Sequence, residues 1–577
     1  MPIDDKDYDT SPTWQLQQIC RDRGLSILGK KEDLIIRLMT NDLKNNNGSI
    51  ACINHVIPKT LRLLASSPIY KPKQQTTPDI IIKAQSPSKK ITELRSLFKL
   101  LNNGIDIRCI TLHNISTKSY GRVFMEKDEI LMATALINTN CLEFIELDID
   151  HRNEIIFFGL HHNHSISRLN IEAASIPTTM FIPKNVSTLT ITAKNDVNGR
   201  PLTIEAITSI SENLKIKGVL EKLIIDKDAL YDDVHMEALS MLVATNDVQS
   251  FKLTCNVGLP MTDHAVSNIC SSNLVELEIE DFDANIYTSE IVCKLAYGLV
   301  NNKKLLSISL KPHLAMPMRI PHVGTAFAYL MKNNNTLLSL NTSGFIFTDV
   351  IGHKMVDALR SNRILKYLDL SKNCFSVDIL LMFANVLIHT NLKHVVLDTV
   401  GIVVASGCEN VSKDNSEENV NDINNVEYAF AELFSDHNNL KHDIQHFSLS
   451  GNHFSNGHVM RSMIGNITLN TLLLQDNDYD DTVLENIINI VKYNTTLRNF
   501  NINGHCMTVT AVRTIIDAIE KYNSTLVNCF IRGRLANSTE HMCYIEIGLR
   551  LKNILERNRY NSYILSRSLT KMLLNML

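Results

Sequence analysis

The sequence predicts an α/β repeat solenoid: a horseshoe of short parallel strands, each followed by a helix, with a small N-terminal helical hairpin in front. Three observations carry this expectation. A pattern of spaced aliphatic residues recurs along most of the 577 residues, helical apolar spacing fills the intervals between its copies, and the first hundred residues differ from the rest in charge. A chain this long exceeds what one compact core organises, and 44% apolar residues exclude global disorder. No run of 18 apolar residues occurs, so no spanning helix is expected. Met1–Thr10 carries Asp4, Asp5, Asp7 and Asp9 and no apolar stretch, unlike a secretory signal. The 12 cysteines include no Cys-x-x-Cys pair, which argues against a zinc module or a disulfide framework and fits a reducing intracellular compartment, cytoplasmic or nuclear.

The first element in chain order spans residues 11–42. Leu16 and Ile19 share one helix face, Arg23-Gly24-Leu25 makes a turn, Gly29-Lys30-Lys31 opens a second helix, and Leu34, Ile35 and Leu38 line its inner face. This hairpin resembles a SAP domain, a module of chromatin- and DNA-associated proteins. The resemblance implies contacts to duplex DNA from Lys30 and Lys31, with Arg21, Arg23 and Arg37 as weaker candidates. The physics agrees, since helix N-terminal amides beside lysines make a phosphate site. A helical hairpin that docks a protein is the alternative.

Residues 43–90 read as a basic flexible linker. Between Leu43 and Lys90 there are eight basic residues and one acid, Asp79. Residues 1–100 hold 16 Lys+Arg against 10 Asp+Glu, leaving 41 against 51 for the remainder of the chain. A basic arm on an acidic body suggests two jobs.

The repeats are expected over residues 91–535. Leu365-Lys-Tyr-Leu368-Asp-Leu370-Ser-Lys-Asn373 has the form L-x-x-L-x-L-x-x-N, and it recurs from Val248, Ile444 and Leu469. Looser copies start at Ile107, Leu142, Ile166, Val186, Leu220, Leu274, Leu305, Leu337, Leu392, Leu497 and Leu526, about 28 residues apart once the long step from Leu392 to Ile444 is set aside. Asp349–Arg360, Asp481–Val491 and Ala511–Ile519 carry apolar residues at helical spacing between strands. Asparagines before the strands, as in Asn494-Thr-Thr-Leu497, suit a left-handed helix end. The asparagine closing the strand motif is suited to satisfying buried backbone groups. This rhythm resembles ribonuclease-inhibitor-like leucine-rich repeats, shared by NOD-like receptors and Ran GTPase-activating proteins. The long step holds a polar insertion near 408–425, expected to be disordered. Residues 536–577 read as a C-terminal helical cap over the last repeat.

Alternate strand residues point away from the core. They include Glu146 and Asp148, the triad Glu276, Glu278 and Glu280, and then Asp369 and Asp398. Three carboxylates alternating on one strand repel one another unless solvated or met by a base. They mark the concave face as a surface for an unidentified, basic protein partner, or else as a solvated strand. Other clusters carry less. His161-His162-Asn163-His164 lacks a placed fourth metal ligand. Asp476–Asp481 lacks the glycine and glutamate of a calcium loop, and Gly29-Lys30 lacks the glycine run of a phosphate loop. No hydrolase or metalloprotease motif is present, and no cofactor or metal is expected. The sequence therefore points to a non-enzymatic scaffold that binds a protein through its repeats and DNA or chromatin through the hairpin. The alternatives are a cytosolic adaptor or receptor without nucleic-acid binding and, more remotely, a GTPase-activating regulator, an activity that shared architecture alone does not transfer.

Overall fold

The computed structural model describes residues 80–82, 101, 109–115, 126–149, 154–173, 176, 182–192, 202–226, 233–254, 261–282, 286–313, 321–345, 347, 349–373, 375–400, 417–435, 443–503, 507–531 and 546–563. These fall into two units, one running to Thr254 with Pro260–Leu274, the other continuing from Val275. The hairpin of residues 11–42, with Arg21, Arg23, Lys30, Lys31 and Arg37, lies outside the described residues.

The first unit contains β1 (Ile80–Ile82), β2 (Cys109–Ile115), α1 (Glu126–Asn138), β3 (Phe144–Ile149), α2 (Glu154–His161), β4 (Arg168–Glu172), β5 (Thr188–Thr192), α3 (Ile204–Lys217), β6 (Leu220–Ile225), α4 (Asp233–Thr245), β7 (Val248–Thr254) and α5 (Asp263–Ser271). The second begins with β8 (Glu276–Phe282), α6 (Ile286–Gly298), β9 (Ser307–Pro312), α7 (Pro321–Asn333), β10 (Ser339–Asn341), α8 (Asp349–Ser361), β11 (Tyr367–Asp369), α9 (Val377–Leu387) and β12 (His394–Val396). It continues through α10 (Glu417–Glu432), β13 (His446–Ser448), α11 (His458–Ser462), β14 (Thr471–Leu473), α12 (Leu484–Tyr493), β15 (Asn499–Asn501), α13 (Val509–Tyr522) and β16 (Asn528–Phe530). A last helix, α14, covers 546–563.

Within each unit every strand pairs in parallel with its neighbour in sequence, β1 to β7 in the first and β8 to β16 in the second. All fifteen strand motifs read from the sequence become strands, β2 through β16. This is the α/β leucine-rich-repeat architecture. The inward residue of each motif explains it: Leu340, Leu368, Val395, Phe447, Leu472, Phe500 and Cys529 are aligned in register and nearly fully buried. Each such apolar side chain contributes about 1.5–3 kcal/mol by leaving water. Hydroxyl caps start the helices: Thr262 accepts from the Ala265 amide, Ser376 from Ile379 and Thr508 from Ala511.

Two sequence expectations need correction. β1 lies inside the stretch 43–90 expected as linker; the run Ile80-Ile81-Ile82 pairs with Ile110, Thr111 and Leu112, so the repeat pattern begins earlier. The insertion near 408–425, expected to be disordered, is helical from Glu417 onward in α10, while 408–416 lie outside the described residues. One anchor is Glu427, fully buried, with its carboxylate accepting from the Asn456 amide (3.1 Å) and the Tyr479 hydroxyl (3.2 Å). Val426 and Phe430 of the helix and Phe434 just past it are buried as well, both phenylalanine rings against Phe447, so the segment is anchored by apolar contacts and by a polar one that apolar periodicity does not reveal.

Two asparagine ladders tie the repeats. Where the chain leaves a strand, the Asn477 amide donates to Leu449 O (3.0 Å) and Leu474 O (2.9 Å), while its oxygen accepts from the amides of Asn452 and Phe454. Asn373 and Asn452 repeat this arrangement. The second ladder stands at the helix-to-strand junctions. Asn494 donates to Met463 O (2.7 Å) and Asn466 O (2.9 Å) of the preceding repeat and accepts from the Thr496 and Leu497 amides. Asn163, Asn334, Asn362 and Asn523 do the same at their junctions. The expected left-handed helix end is absent here: Asn494 (φ −78°, ψ 126°) and Asn523 (φ −104°, ψ 130°) are extended. The side-chain amide, not tolerance of positive φ, selects asparagine. Positive φ falls instead in the post-strand turns, at Lys372, Thr399, His453 and Asp476.

At the far end, α14 supplies Asn558, which is buried and donates to Asn523 O (3.4 Å) and Leu526 O (2.9 Å), the contacts a further repeat would make. Arg550 bonds Asp517 (2.6 Å) and Glu520 of α13.

Candidate partner-binding face

Strand residues that do not point into the core form rows across neighbouring strands. In the second unit one row runs Glu276, Ser307, Ser339, Tyr367, His394, His446, Thr471, Asn499 and Asn528, each hydrogen-bonded in register with the next strand. A second row begins Glu278, Ser309, Asn341 and Asp369. The rigid ladder fixes these positions, so the rows form a surface already ordered.

The expected acidic triad lies on one strand. Glu276, Glu278 and Glu280 lie half-buried on β8, and Lys311 of β9 reaches across. Its ammonium is 2.7 Å from Glu280 and 3.8 Å from Glu278. The base that three alternating carboxylates require is therefore supplied in part by the adjacent strand. This raises the structural stake of the glutamates: their side chains are only 19–22% exposed at Glu278 and Glu280, so reversing their charge beside Lys311 disturbs the sheet itself.

The other predicted acids are dispersed. Glu146, half-buried on β3 in the first unit, accepts from the Asn170 side chain of β4 (3.1 Å). Asp148 lies on the same strand, and its side chain is outside the described residues. Asp369 closes β11 and accepts from the Ser371 amide (2.9 Å). Asp398 sits past the end of β12, in the turn; one oxygen accepts from the Ser448 hydroxyl (2.5 Å) and the Ser450 amide (2.8 Å). Burial pushes the Asp398 carboxyl up, and the bonds from Ser448 and Ser450 pull it back. These two aspartates hold turns together, a role that the alternation of the strand motif did not announce.

Sequence reasoning missed a row of rings. Tyr367, His394 and His446 occupy one row on β11, β12 and β13. The imidazoles stack with centroids 5.4 Å apart and 25° between planes, and Tyr367 lies 6.2 Å from His394. Burial and the neighbouring His394 push the His446 imidazole down to about 4, and burial and Lys393 lower His394. Both rings are therefore neutral at neutral pH. The signal was available by aligning Leu365-Lys-Tyr367, Leu392-Lys-His394 and Ile444-Gln-His446, where the ring stands two residues after the first aliphatic residue. Beyond the rings the row becomes an amide chain: Asn528 donates to Asn499 (2.6 Å), Asn499 to Thr471 (2.8 Å), and Arg559 of α14 to Asn528 (2.7 Å).

Among the described residues no group of three or more His, Cys, Asp or Glu is arranged to hold a metal ion. The histidine run shows what its sequence is used for: Asn163 is a junction asparagine, and His161 and His162 are held neutral chiefly by burial. In the calcium-like stretch, Asp480 accepts from the Thr482 amide (2.8 Å), Asp481 accepts from Thr508, and Asn477 is a ladder residue. Cys529 is a buried thiol pushed up to about 12. No helix among the described residues is long and apolar enough to cross a membrane.

No protein-family model matches the chain, and no curated protein matches it. Among solved structures, the complex of Rad7 and Elc1 in yeast contains a similar chain, with a TM-score of 0.40 and 13% identity, covering 78% of this chain and 92% of that one. Actin-binding site 2 of leiomodin-1 is similar at a TM-score of 0.20 and 14% identity, covering 43% of this chain and 95% of that one. Likeness at this level transfers no activity. What defines the chain is its own parallel strands, intervening helices and asparagine ladders, and its fold is that of a leucine-rich-repeat solenoid.

Proposed function

We propose that the protein is a non-enzymatic scaffold that binds a partner protein on the outward strand rows and is tethered to duplex DNA by its N-terminal hairpin. The observation that supports the first part is the row from Glu276 to Asn528, nine strands in register whose side chains need little further ordering on binding. Its acidic end carries Glu276, Glu278 and Glu280 on β8, the last two against Lys311 on β9, which favours a basic partner segment steered by charge. The neutral rings of Tyr367, His394 and His446 offer flat apolar area beside it. The test replaces Glu276, Glu278 and Glu280 together by glutamine, which preserves shape beside Lys311, and compares the proteins captured from native lysate with those held by wild type. Loss of a partner at unchanged circular dichroism assigns the acidic strand to the interface. An unchanged set removes that strand from the interface.

The tether rests on the sequence of residues 11–42. Full-length protein should bind duplex DNA with an affinity that falls steeply with salt, and Lys30→Ala with Lys31→Ala should weaken it almost equally for all sequences. Anisotropy titrations at two salt concentrations measure both effects. Absence of binding at low salt leaves a cytosolic adaptor as the better reading.

A further inference from the structure

Five helix-to-strand junctions share one tetrapeptide form: Asn163-His-Ser165-Ile166, Asn334-Asn-Thr336-Leu337, Asn466-Ile-Thr468-Leu469, Asn494-Thr-Thr496-Leu497 and Asn523-Ser-Thr525-Leu526. Each begins with Asn-x-Ser/Thr, the acceptor for asparagine-linked glycosylation, which in secreted proteins marks surface loops. Here the fold does the opposite. The five asparagines are between 0% and 6% exposed, and the side chains of Asn163, Asn334, Asn494 and Asn523 hold consecutive repeats together. The amide nitrogen of Asn163 lies 2.6 Å from Leu136 O, that of Asn334 3.0 Å from Leu299 O, that of Asn494 2.7 Å from Met463 O and that of Asn523 2.9 Å from Val491 O. The Asn466 oxygen accepts from the Thr468 and Leu469 amides.

Glycosylation acts on that same nitrogen. A bond forms between the amide nitrogen and the anomeric carbon of a lipid-linked oligosaccharide. The bond from that carbon to the lipid diphosphate breaks, and one amide proton is lost. The modified nitrogen keeps a single proton, so Asn163, which donates to Leu136 O and Thr139 O, and Asn494, which donates to Met463 O and Asn466 O, would each lose a donor bond. The sugar would also need space that the stacked repeats fill. A buried carbonyl stripped of its donor is left unsatisfied, and a sugar has no room in a close-packed junction.

We propose that these five asparagines are incompatible with glycosylation in the folded protein, and that the chain therefore folds productively only in a compartment lacking oligosaccharide transfer. In a secretory lumen the transferase meets the emerging chain before its junctions are buried, and a modified junction cannot close. The restriction is independent of any binding partner.

The experiment directs the full chain into the secretory pathway of cultured mammalian cells behind a cleavable signal, beside the same chain made in the cytosol. The cytosolic chain should be protease-resistant. Because Asn47, Asn114, Asn185, Asn341, Asn410 and Asn537 also begin Asn-x-Ser/Thr, a mobility shift removed by peptide N-glycosidase is not enough: the secretory chain should show glycans on the five junction asparagines by mass spectrometry and fail to leave the cell. Blocking synthesis of the lipid-linked oligosaccharide should restore secretion of a protease-resistant chain. So should Ser165→Ala with Thr336→Val, Thr468→Val, Thr496→Val and Thr525→Val, made together with Ser49→Ala, Ser116→Ala, Ser187→Ala, Ser343→Ala, Ser412→Ala and Thr539→Val, which removes all eleven Asn-x-Ser/Thr acceptors of the chain and keeps every asparagine; the inhibitor arm decides if that variant does not fold. Secretion of folded wild type, glycosylated or not, overturns the proposal. Retention that persists when transfer is blocked overturns it as well.

Discussion

Asn494 makes four hydrogen bonds with one side chain, two given and two received, all at a buried junction. Asn494→Ala should therefore cost about 2–4 kcal/mol, because two carbonyls and two amides lose their partners at once. Asn494→Asp should not rescue it, since a carboxylate supplies no donor and is costly to bury. Chemical denaturation of both variants checks this. The sequence made these asparagines conspicuous but misled on their cause: a helix-ending asparagine suggests positive φ, and only the positions of the neighbouring carbonyls reveal a donor role. His446 sets the second residue-scale expectation. Its folded pKa of about 4 lies below the ordinary value of 6.5, so between those values the unfolded chain binds the extra proton. Stability from this ring is complete above pH 6.5 and is lost as pH falls towards 4. The titratable group that acts on it is His394, which stacks on its ring. The loss should be on the order of 1 kcal/mol after solvent screening of a half-buried ring. His446→Gln should flatten that slope in urea titrations at pH 7 and pH 4.5.

Helix spacing is set by side chains that are missing. A Cβ on Gly352 of α8 would stand 2.5 Å from Ile379 Cγ2 of α9, and one on Gly324 of α7 would stand 2.2 Å from Ile351 Cγ2 of α8. Gly352→Ala should cost about 1–3 kcal/mol through overpacking, and Ile379→Val should recover part of it, giving a favourable coupling in a double-mutant cycle. Glycines inside a helical pattern are read from sequence as weak spots, whereas here they permit close approach. α10 differs in adding a buried carboxylate, Glu427, to its apolar contacts. Glu427→Ala strands the Tyr479 hydroxyl and the Asn456 amide, and should cost about 3 kcal/mol. Faster amide exchange at Asn456 and along α11 would show where the anchor acted. The strand motifs were legible because each buries a fixed pattern of aliphatic residues; β1 was not, because Thr77 stands where the leading aliphatic residue of the pattern would be, and α10 was not, because part of its docking is a buried carboxylate.

For the whole chain, each strand pairs only with its neighbours in sequence within a unit, so stability is close to a sum of repeat and interface contributions. A defect such as Asn494→Ala should raise hydrogen exchange first in α12 and β14–β16, and little at β8 and β9. Concerted loss of protection across the second unit would contradict that picture. The candidate face was legible in outline, because alternation along a strand tells which side chains leave the core. Its charge was not. Alternation gave Asp369, Asp398 and Glu146 the same standing as Glu276, Glu278 and Glu280, yet turn amides, neighbouring hydroxyls and the Asn170 side chain occupy the first three. Only register across strands separates an acid facing a partner from an acid closing a turn, and register is a property of pairs of repeats.

The order of the strands also makes the chain a ruler under tension. Ser339 and Tyr367 face each other across β10 and β11 and are 28 residues apart in the chain, so peeling one repeat from its neighbour should free about 90–100 Å of extended backbone. His394 and His446 face each other across β12 and β13 but are separated by 52 residues. A force–extension trace should therefore show a series of nearly equal steps interrupted by one almost twice as long, marking where in the array the rupture has arrived.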